Sequence, residues 1–456
     1  MIAGLKPYAA YKDSGLAWLG PLPSHWGQRR MKFLFRERAQ KGFPDEPLLA
    51  ATQTKGVVRK DEYGKRTVTA MKDFHLLKLV EEGDFVISLR SFEGGIEVAY
   101  CRGIISPAYT VLTPTRDAVQ SYYARFFKSA DFIRSLTLFV TGIREGQNID
   151  YERMSRAFMP LPPLEEQIAI GHFLDWANAR LERTIRAKRR VIALLNEQKQ
   201  AIIHRAVTRG LDPAVALKPS GIPWAGDIPQ HWEVLRSKYI FKEVDTRSLT
   251  GAEKHLSMSQ KFGLIPSSQL EVKRLVSESH VGAKLCKTGD LVLNRLKAHL
   301  GVFALAPEHG LVSPDYTVLR PARELAARYF EAVYRTPACR IELRQRAKGI
   351  VQGFWRLYTD DFYDIRMPVP PVAEQHAIMD RLNIDLSGIN TAISRLDREI
   401  DFLREYRTRL VADVVTGKLD VRAAAARSPQ VAEPVDSEPD VLVEDEEAED
   451  LNEIEH

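Results

Sequence analysis

The 456-residue sequence is poor in cysteine and lacks the short motifs that mark common metal centres. Its three cysteines, Cys101, Cys286 and Cys339, lie far apart and form no Cys-x-x-Cys pair. This distribution argues against a thiolate metal site and favours a reducing compartment. The eleven histidines show no His-x-x-x-His or His-Glu-x-x-His spacing. The sequence therefore predicts no metal site of its own.

Long apolar runs and nucleotide-binding loops are also missing. No Gly-x-x-x-x-Gly-Lys-Ser/Thr phosphate loop occurs, so ATP hydrolysis by this chain is not predicted. No stretch approaches the ~18 uninterrupted apolar residues that a membrane span needs. The first residues, "MIAGLKPYAAYKDSG", lack the apolar core of a secretory signal. We therefore expect a cytoplasmic protein that does not contact a membrane.

Positive charge is unevenly distributed along the chain. The formal net charge is +5, but residues 428–456 carry twelve Asp and Glu residues and no Lys or Arg. Setting those twelve charges aside leaves about +17 on residues 1–427. A body this basic suits a polyanion, although a merely solvated basic surface is the alternative. The proline-containing, aromatic-free acidic segment predicts a disordered tail over residues 421–456.

The sequence contains an internal repeat that spans most of its length. Five segments recur in the same order, and their offset stays between 206 and 208 residues. A repeat this regular indicates that the chain builds the same structure twice. The matched segments are "SGLAWLGPLPSHWGQRRMKFLF" (14–35) with "SGIPWAGDIPQHWEVLRSKYIF" (220–241), "EGDFVIS" (82–88) with "TGDLVLN" (288–294), "SPAYTVLTP" (106–114) with "SPDYTVLRP" (313–321), "TGIREG" (141–146) with "KGIVQG" (348–353), and "MPLPPLEEQIAI" (159–170) with "MPVPPVAEQHAI" (367–378).

Each copy consists of a globular part and a helical part. Short alternating apolar runs with Gly and Pro between them predict a domain of short strands with some helix. A Pro-Pro pair ends each domain, and acidic residues then favour a helix start. The predicted fold is α+β, with two similar globular domains and two long helices. The predicted boundaries are 1–163 and 211–371 for the domains, 164–210 and 372–420 for the helices, and 421–456 for the tail.

Both helices carry an apolar residue about every seven positions, which is the pattern of a coiled-coil seam. About 40 residues would make a rod of roughly 60 Å. Two similar halves tend to pair about a pseudo-twofold axis, which would run the helices antiparallel. The alternative is that each helix packs only on its own domain. The predicted seam residues are Leu174, Leu181, Ile185, Ile192, Leu195 and Ile202 in the first helix, and Leu382, Ile389, Ile393, Leu396, Ile400, Leu403 and Leu410 in the second, while Asn178, Lys188 and Lys199 place polar groups in the first seam.

The repeated Ser-Pro-x-Tyr phrase resembles the base-gripping loop of adenine methyltransferases. Both copies lack the second proline of that loop, and no Gly-rich loop after a strand is suited to S-adenosylmethionine. A self-sufficient DNA methyltransferase is therefore disfavoured. The phrase is interpreted as scaffold, and the chain is predicted not to be an enzyme.

The whole layout resembles the specificity subunit of type I restriction-modification enzymes. The motifs that carry the resemblance are the Trp-containing segment, the Ser-Pro-x-Tyr phrase, the Pro-Pro-x-x-Glu-Gln segment and the long helix after it, each present twice. The resemblance implies two target recognition domains that each read one half of a bipartite, asymmetric DNA sequence. It further implies that an antiparallel coiled coil sets the gap between the half-sites.

The resemblance also implies partners that supply the chemistry. Two methyltransferase (modification) subunits would carry S-adenosylmethionine, and restriction/translocase subunits would use ATP and Mg. This chain would bind double-stranded DNA and direct adenine methylation and restriction without holding a cofactor or metal. The competing hypothesis is a non-enzymatic coiled-coil scaffold that recruits proteins without reading DNA sequence.

Differences between the two copies suggest which residues read DNA. Scaffold positions should agree between the copies, whereas base-reading positions should differ because an asymmetric target presents different bases to each half. The tract after the repeated Gly-Asp and the Gly-Ile-x-x-Gly loop both diverge, and Arg and Asn suit contacts to guanine and adenine edges. Surface turns that face water are the alternative. The candidate DNA-binding residues are Arg90, Ser91, Arg144, Gln147 and Asn148 in the first copy, and Asn294, Arg295, Lys297, Lys348 and Gln352 in the second.

Overall fold

The computed structural model describes residues 5–63, 73–89, 91–141, 148–259, 262–269, 280–351 and 354–429. The chain forms two compact units. The first unit comprises Met1–Lys188 together with Arg398–His456, and the second comprises Arg189–Asp397. Each long helix therefore contributes one half to each unit. The content is mixed helix and strand, as the sequence predicts.

The first domain is built from short strands, which suit a sequence punctuated by Gly and Pro. Its strands are Tyr11–Lys12 (β1), Leu22–Pro23 (β2), Gly27–Arg30 (β3), Phe35–Glu37 (β4), Leu49–Thr52 (β5), Gly56–Arg59 (β6), Lys78–Val80 (β7), Phe85–Ile87 (β8), Glu97–Val98 (β9), Gly103–Ile105 (β10), Thr110–Pro114 (β11), Val140–Thr141 (β12), Asn148–Ile149 (β13) and Phe158–Leu161 (β14).

The second domain has the same number of described strands. They are Leu217–Pro219 (β15), Asp227–Pro229 (β16), Glu233–Arg236 (β17), Phe241–Val244 (β18), Leu256–Ser259 (β19), Gly263–Pro266 (β20), Lys284–Cys286 (β21), Leu291–Asn294 (β22), Phe303–Leu305 (β23), Gly310–Val312 (β24), Tyr316–Pro321 (β25), Lys348–Val351 (β26), Phe354–Arg356 (β27) and Arg366–Val369 (β28).

Two helices are much longer than the others, and each follows a Pro-Pro pair. The α-helices are Met31–Leu34 (α1), Ser91–Gly94 (α2), Gln120–Phe126 (α3), Ala130–Leu136 (α4), Tyr151–Ser155 (α5), Leu164–Arg209 (α6), Ala327–Tyr334 (α7), Pro337–Arg346 (α8), Thr359–Tyr363 (α9), Val372–Val415 (α10) and Arg422–Ala425 (α11). Short 3-10 helices occupy Phe74–Leu76, Thr137–Phe139, Ser237–Tyr239, Ser267–Gln269 and Arg295–Leu300.

The two domains share one sheet topology. Each has a four-stranded antiparallel sheet, in the order β4-β11-β8-β9 in the first domain and β18-β25-β22-β23 in the second. The remaining strands form two-stranded pairs that match one for one, such as β3 with β14 and β17 with β28. The repeated Ser-Pro-x-Tyr phrase leads into β11 and β25, which lie inside these sheets and hydrogen-bond on both sides. The phrase is therefore part of the sheet scaffold in each domain.

A carboxylate network attaches each domain to the start of a long helix. Glu166 in α6 is 4% exposed and accepts hydrogen bonds from Trp26 Nε1 at 3.0 Å, His25 Nε2 at 2.8 Å and the Tyr8 hydroxyl at 2.5 Å. In the second domain, Glu374 of α10 accepts the equivalent Trp and His hydrogen bonds, at 3.0 and 2.8 Å, and these are its two side-chain partners among the described residues. The repeated His-Trp and Glu-Gln motifs are thus joined in space by hydrogen bonding.

In the first unit, the two long helices run antiparallel. Glu182 of α6 accepts a hydrogen bond from Arg407 of α10, and Lys188 Nζ of α6 lies 2.5 Å from Glu399 Oε2 of α10. The later residue of α6 thus contacts the earlier residue of α10, which is the antiparallel arrangement. The apolar core of this unit includes Leu174 of α6 and Leu410 of α10. The seam of the first unit therefore combines apolar packing with charged pairs.

The second unit contains the same kind of helix pair. Lys199 Nζ donates to Asn390 Oδ1 at 2.8 Å, and Val207 shares a core with Ile378 and Leu382. All thirteen predicted seam residues are buried or half-buried. The polar seam positions Lys188 and Lys199 each meet a polar partner on the facing helix, which offsets the cost of placing them there.

The boundary of the predicted acidic tail differs from the structure. The sequence predicts disorder from residue 421, whereas Arg422–Ala425 form α11 and the described chain continues to residue 429. Val421 is fully buried and Ala425 is 7% exposed, and both belong to the core of the first unit. Apolar burial outweighs the composition of the tail at this point. Residues 430–456 lie outside the described part of the chain.

The long helices are too polar for a bilayer. Within the described ranges, no helix combines the length and apolar character of a membrane span.

Candidate nucleic-acid interface

The divergent tract after the second Gly-Asp begins where β22 ends. Asn294 closes the strand and caps the following 3-10 helix, because its Oδ1 accepts the Leu296 N–H at 3.1 Å. Arg295 is half-buried, and its Nε donates to the Asp315 carbonyl oxygen at 2.8 Å. Lys297 lies in the same short helix and is also half-buried. These three candidates therefore belong to one turn, whose first residues are held by the side chain of Asn294.

A hairpin from the Gly-Ile-x-x-Gly region lies against this turn. The Leu357 N–H, just after β27, donates to the Arg295 carbonyl at 3.0 Å. Lys348 and Arg356 face each other across the β26–β27 pair. The tertiary structure thus brings Asn294, Arg295 and Lys348 to one region, although more than fifty residues separate them in the sequence.

Two ion pairs organise the charges in this region. Arg356 Nη2 donates to Asp315 Oδ1 at 2.9 Å, and the exposed Lys348 donates to Asp361 Oδ1 at 3.0 Å. The hydrogen bond from Lys348 to Asp361 raises the lysine pKa and so keeps this amine protonated. The arrangement presents cations on a pre-organised surface, as contacts to phosphates and base edges require.

Sequence reasoning missed Asp315 and Arg356. The signal was present, because the repeated phrase differs between the copies at this position, where Ala108 stands in the first and Asp315 in the second. Asp315 accepts hydrogen bonds from both Arg295 and Arg356, through its carbonyl and its carboxylate. The difference within the phrase thus supports the candidate surface beside it.

The first domain has a similar juxtaposition with different residues. Helix α2, which begins at Ser91, contacts β13, Asn148–Ile149. Ser91 is only 2% exposed, and its hydroxyl accepts the Ser88 N–H at 2.8 Å. Its side chain therefore stabilises the turn and does not face a ligand here. Arg90, Arg144, Gln147 and Gln352 lie outside the described residues.

The described residues of both units contain no cluster of three or more His, Cys, Asp or Glu able to hold a metal ion. Burial is the main cause that raises the pKa of the Cys286 thiol, to about 11. Burial also raises the pKa of Cys339. These two thiols are therefore neutral at physiological pH and are poor nucleophiles.

Together, the duplicated sheet domains, the cationic turn and hairpin of the second domain and the two long helices define a class of protein: a two-domain α+β protein with an internally repeated architecture. Comparisons with known proteins show what this chain is similar to. No family model matches the sequence. The chain is 24% identical over 328 residues to the putative type I restriction enzyme MjaX specificity subunit of Methanocaldococcus jannaschii, covering 68% of this chain and 71% of that protein. It is 21% identical over 331 residues to the type I restriction enzyme EcoKI specificity subunit of Escherichia coli K12, covering 68% of each chain.

A solved structure gives the same result for the fold. A chain from a study of complex assembly and conformational transition in a type I R-M system matches with a TM-score of 0.59 at 15% identity, covering 86% of this chain and 98% of that one. The resemblance predicted from the repeated motifs is confirmed, because both curated relatives are type I restriction enzyme specificity subunits.

Proposed function

We propose that this chain is the DNA-binding specificity subunit of a type I restriction-modification complex. In this role each domain reads one half of a bipartite, asymmetric target, and the chain directs adenine methylation and restriction by its partners. The observation that carries the proposal is the contrast between the copies. Their strand pairing is identical, while the turn and hairpin residues that lie together in each domain differ.

This contrast fits a protein that must hold two readers in one frame. Residues shared by the copies, such as the Trp, Glu and Gln of the repeated motifs, are used to fasten each domain to a long helix. Residues that differ lie on the cationic turn and its neighbouring hairpin. Side chains that contact base edges specify sequence, whereas contacts to phosphates mainly position the protein.

The long helices would set the distance between the half-sites. The antiparallel pairing found within each unit supports a continuous antiparallel coiled coil with the domains related by a pseudo-twofold axis. Two methyltransferase subunits, restriction/translocase subunits and double-stranded DNA are the proposed partners. S-adenosylmethionine, ATP and Mg would be bound by those subunits, and this chain would supply recognition and not catalysis.

The primary test is methylome sequencing of cells that carry the partner subunits with and without this chain. We expect one bipartite methylated sequence that disappears when the chain is absent. Exchange of residues 1–163 for the first domain of a related subunit should change one half-site and leave the gap unchanged. Loss of the chain without any change in methylation would contradict the proposal and favour the scaffold hypothesis.

The spacing role has its own test. Deletion of residues 189–195 together with 393–399 removes one heptad from each helix at facing positions. Seven residues span about 10.5 Å of helix, which corresponds to roughly three base pairs of DNA. We expect the methylated gap to shorten by about that amount while both half-sites are retained. A methylated sequence with an unchanged gap would refute the role of the helices in spacing.

A further inference from the structure

The second unit contains a cavity of about 870 Å³. Its wall is formed by the second half of α6, the beginning of α10, helices α7 and α8, and the turns that flank β20 and β23. The volume lies within the range of small-molecule sites, about 300–1,000 Å³. All of these elements belong to the same unit.

The cavity is strongly cationic. Lys199, Arg328, Arg335 and Arg340 line it, and among the described residues Glu331 is the single carboxylate in the lining. Glu331 accepts a hydrogen bond from Arg335 Nη1 at 3.2 Å. Four cations and one anion leave three formal positive charges around this space. Such an excess favours a ligand that carries several negative charges.

Lys199 occupies an unfavourable position for an amine. It is half-buried in the helix seam, and its Nζ donates to the uncharged side chain of Asn390 at 2.8 Å. Burial and then the nearby charge of Arg335 lower its pKa. An anion placed in the cavity would interact favourably with both cations and would offset the cost of their proximity.

The equivalent place in the first unit contains a tight helix contact. Tyr122 and Tyr329 are equivalent, because the hydroxyl of each donates to a backbone carbonyl in the last turn of a long helix. The residues just before them, Ser121 and Arg328, therefore correspond. Gly171 likewise corresponds to Met379, four residues after the matched glutamines. A Cβ atom added to Gly171 would lie 2.2 Å from Ser121 Oγ, which shows how closely the helices meet there.

In the second unit, Arg328 and Met379 stand where the first unit has serine and glycine, and both line the cavity. The difference between the copies therefore places one cation and one long apolar side chain at this position in the second unit only.

We propose that this cavity binds a nucleotide, with the phosphate near Lys199 and Arg328 and the base against the apolar wall that includes Ile203, Leu264 and Met379. Two sources share the phosphate chemistry: a free nucleotide, which would use both parts of the site, and a backbone phosphate of duplex DNA, which would use only the cationic part. Phosphate contacts to Arg and Lys provide sequence-independent affinity in either case. Only the DNA form of the inference rests on the proposed function.

The test uses the full chain and two probes, ATP measured by calorimetry and a short random-sequence duplex measured by fluorescence anisotropy. The test variants are Arg328→Ser, which restores the residue of the first copy, and Lys199→Gln. Arg366→Ser is the matched control, because Arg366 is an exposed arginine on β28 outside the cavity lining. Arg328 is itself exposed, so its substitution should leave the fold intact.

If the source is a free nucleotide, ATP should bind the unaltered chain, and each test variant should weaken binding about tenfold while the control changes little. If the source is DNA, ATP should not bind, and duplex affinity should fall about tenfold in the test variants only. Equal behaviour of test and control variants with both probes would overturn the proposal. Target methylation by the assembled complex tests the proposed function separately. Failure of the cavity proposal can therefore be distinguished from failure of the proposed function.

Discussion

The two domains solve one structural problem with different residues. The aspartate of each Gly-Asp repeat is buried beside the central sheet, with Asp84 at 1% and Asp290 at 2% exposure. In the first domain, Arg38 binds Asp84 from beside β4, and Thr113 of β11 adds a hydrogen bond. In the second domain, Arg320 of β25 donates hydrogen bonds to both carboxylate oxygens of Asp290, at 2.8 and 2.7 Å. A buried charge must be paired, but the strand that supplies the partner is interchangeable.

The largest expected effect comes from removing this partner in the second domain. Arg320→Thr, which introduces the first-copy residue, leaves Asp290 buried without its cation and should cost about 3–5 kcal/mol of unfolding free energy. Adding Val244→Arg should recover at least half of this loss, because Val244 occupies the position of Arg38. Urea unfolding monitored by circular dichroism measures both. A double variant no more stable than the single one would show that the two arrangements are not equivalent.

The glutamate networks should differ in the same way. Glu166→Ala removes a buried acceptor of three hydrogen bonds, whereas Glu374→Ala removes a 27%-exposed acceptor of two. We expect a loss of about 2–4 kcal/mol for the first variant and about 1–2 kcal/mol for the second. Denaturant midpoints give the ranking. When Tyr8 is already Phe, Glu166→Ala should cost less unfolding free energy, close to the loss from Glu374→Ala. An equal loss with and without the Tyr8 hydroxyl would contradict this explanation.

The candidate reading turn can be separated from its structural role. Asn294→Ala should cost about 1 kcal/mol through loss of the helix cap and should relax one half-site only. Asn294→Asp keeps an acceptor for the Leu296 N–H, so stability should be retained while the half-site preference changes. Thermal unfolding and methylome sequencing are measured in parallel. Relaxation of both half-sites by either variant would exclude a role in reading one half.

Charged pairs in the helix seam should contribute more than pairs on the surface. Glu399→Ala leaves the half-buried Lys188 without its partner and should cost about 1 kcal/mol, whereas Asp401→Ala on the exposed face should cost about 0–0.5 kcal/mol. Both residues lie in α10, and because Asp has a lower helix propensity than Glu, the Asp401→Ala value is corrected for a gain of a few tenths of a kcal/mol. Urea midpoints compare them, and equal values would mean that the seam pair is as solvated as the surface pair.

The smallest effect concerns pH. Burial and the charge of Arg209 lower the pKa of His204, and the equivalent position in α10 is Ala412. Below the unfolded pKa of about 6.5, the unfolded chain binds a proton that the folded chain resists, so stability falls as pH drops through that value. His204→Ala should reduce this fall between neutral and mildly acidic pH. Thermal unfolding across that range measures the change, and an unaltered slope would assign the pH dependence to other groups such as His255, whose pKa is also lowered.

The sequence by itself determined the duplication, the sheet scaffold phrase and the periodic seam of the long helices. These features depend on the order and spacing of neighbouring residues, which remain readable in one dimension. Only the tertiary structure decided which cation meets each buried aspartate, how Asp315 joins Arg295 to Arg356, and that residues 421–425 close the core of the first unit. It also decided that Arg328 and Met379 line a cavity where Ser121 and Gly171 make a tight contact. Each of these outcomes is a contact between residues distant in the chain, and its free energy depends on burial that no local pattern specifies.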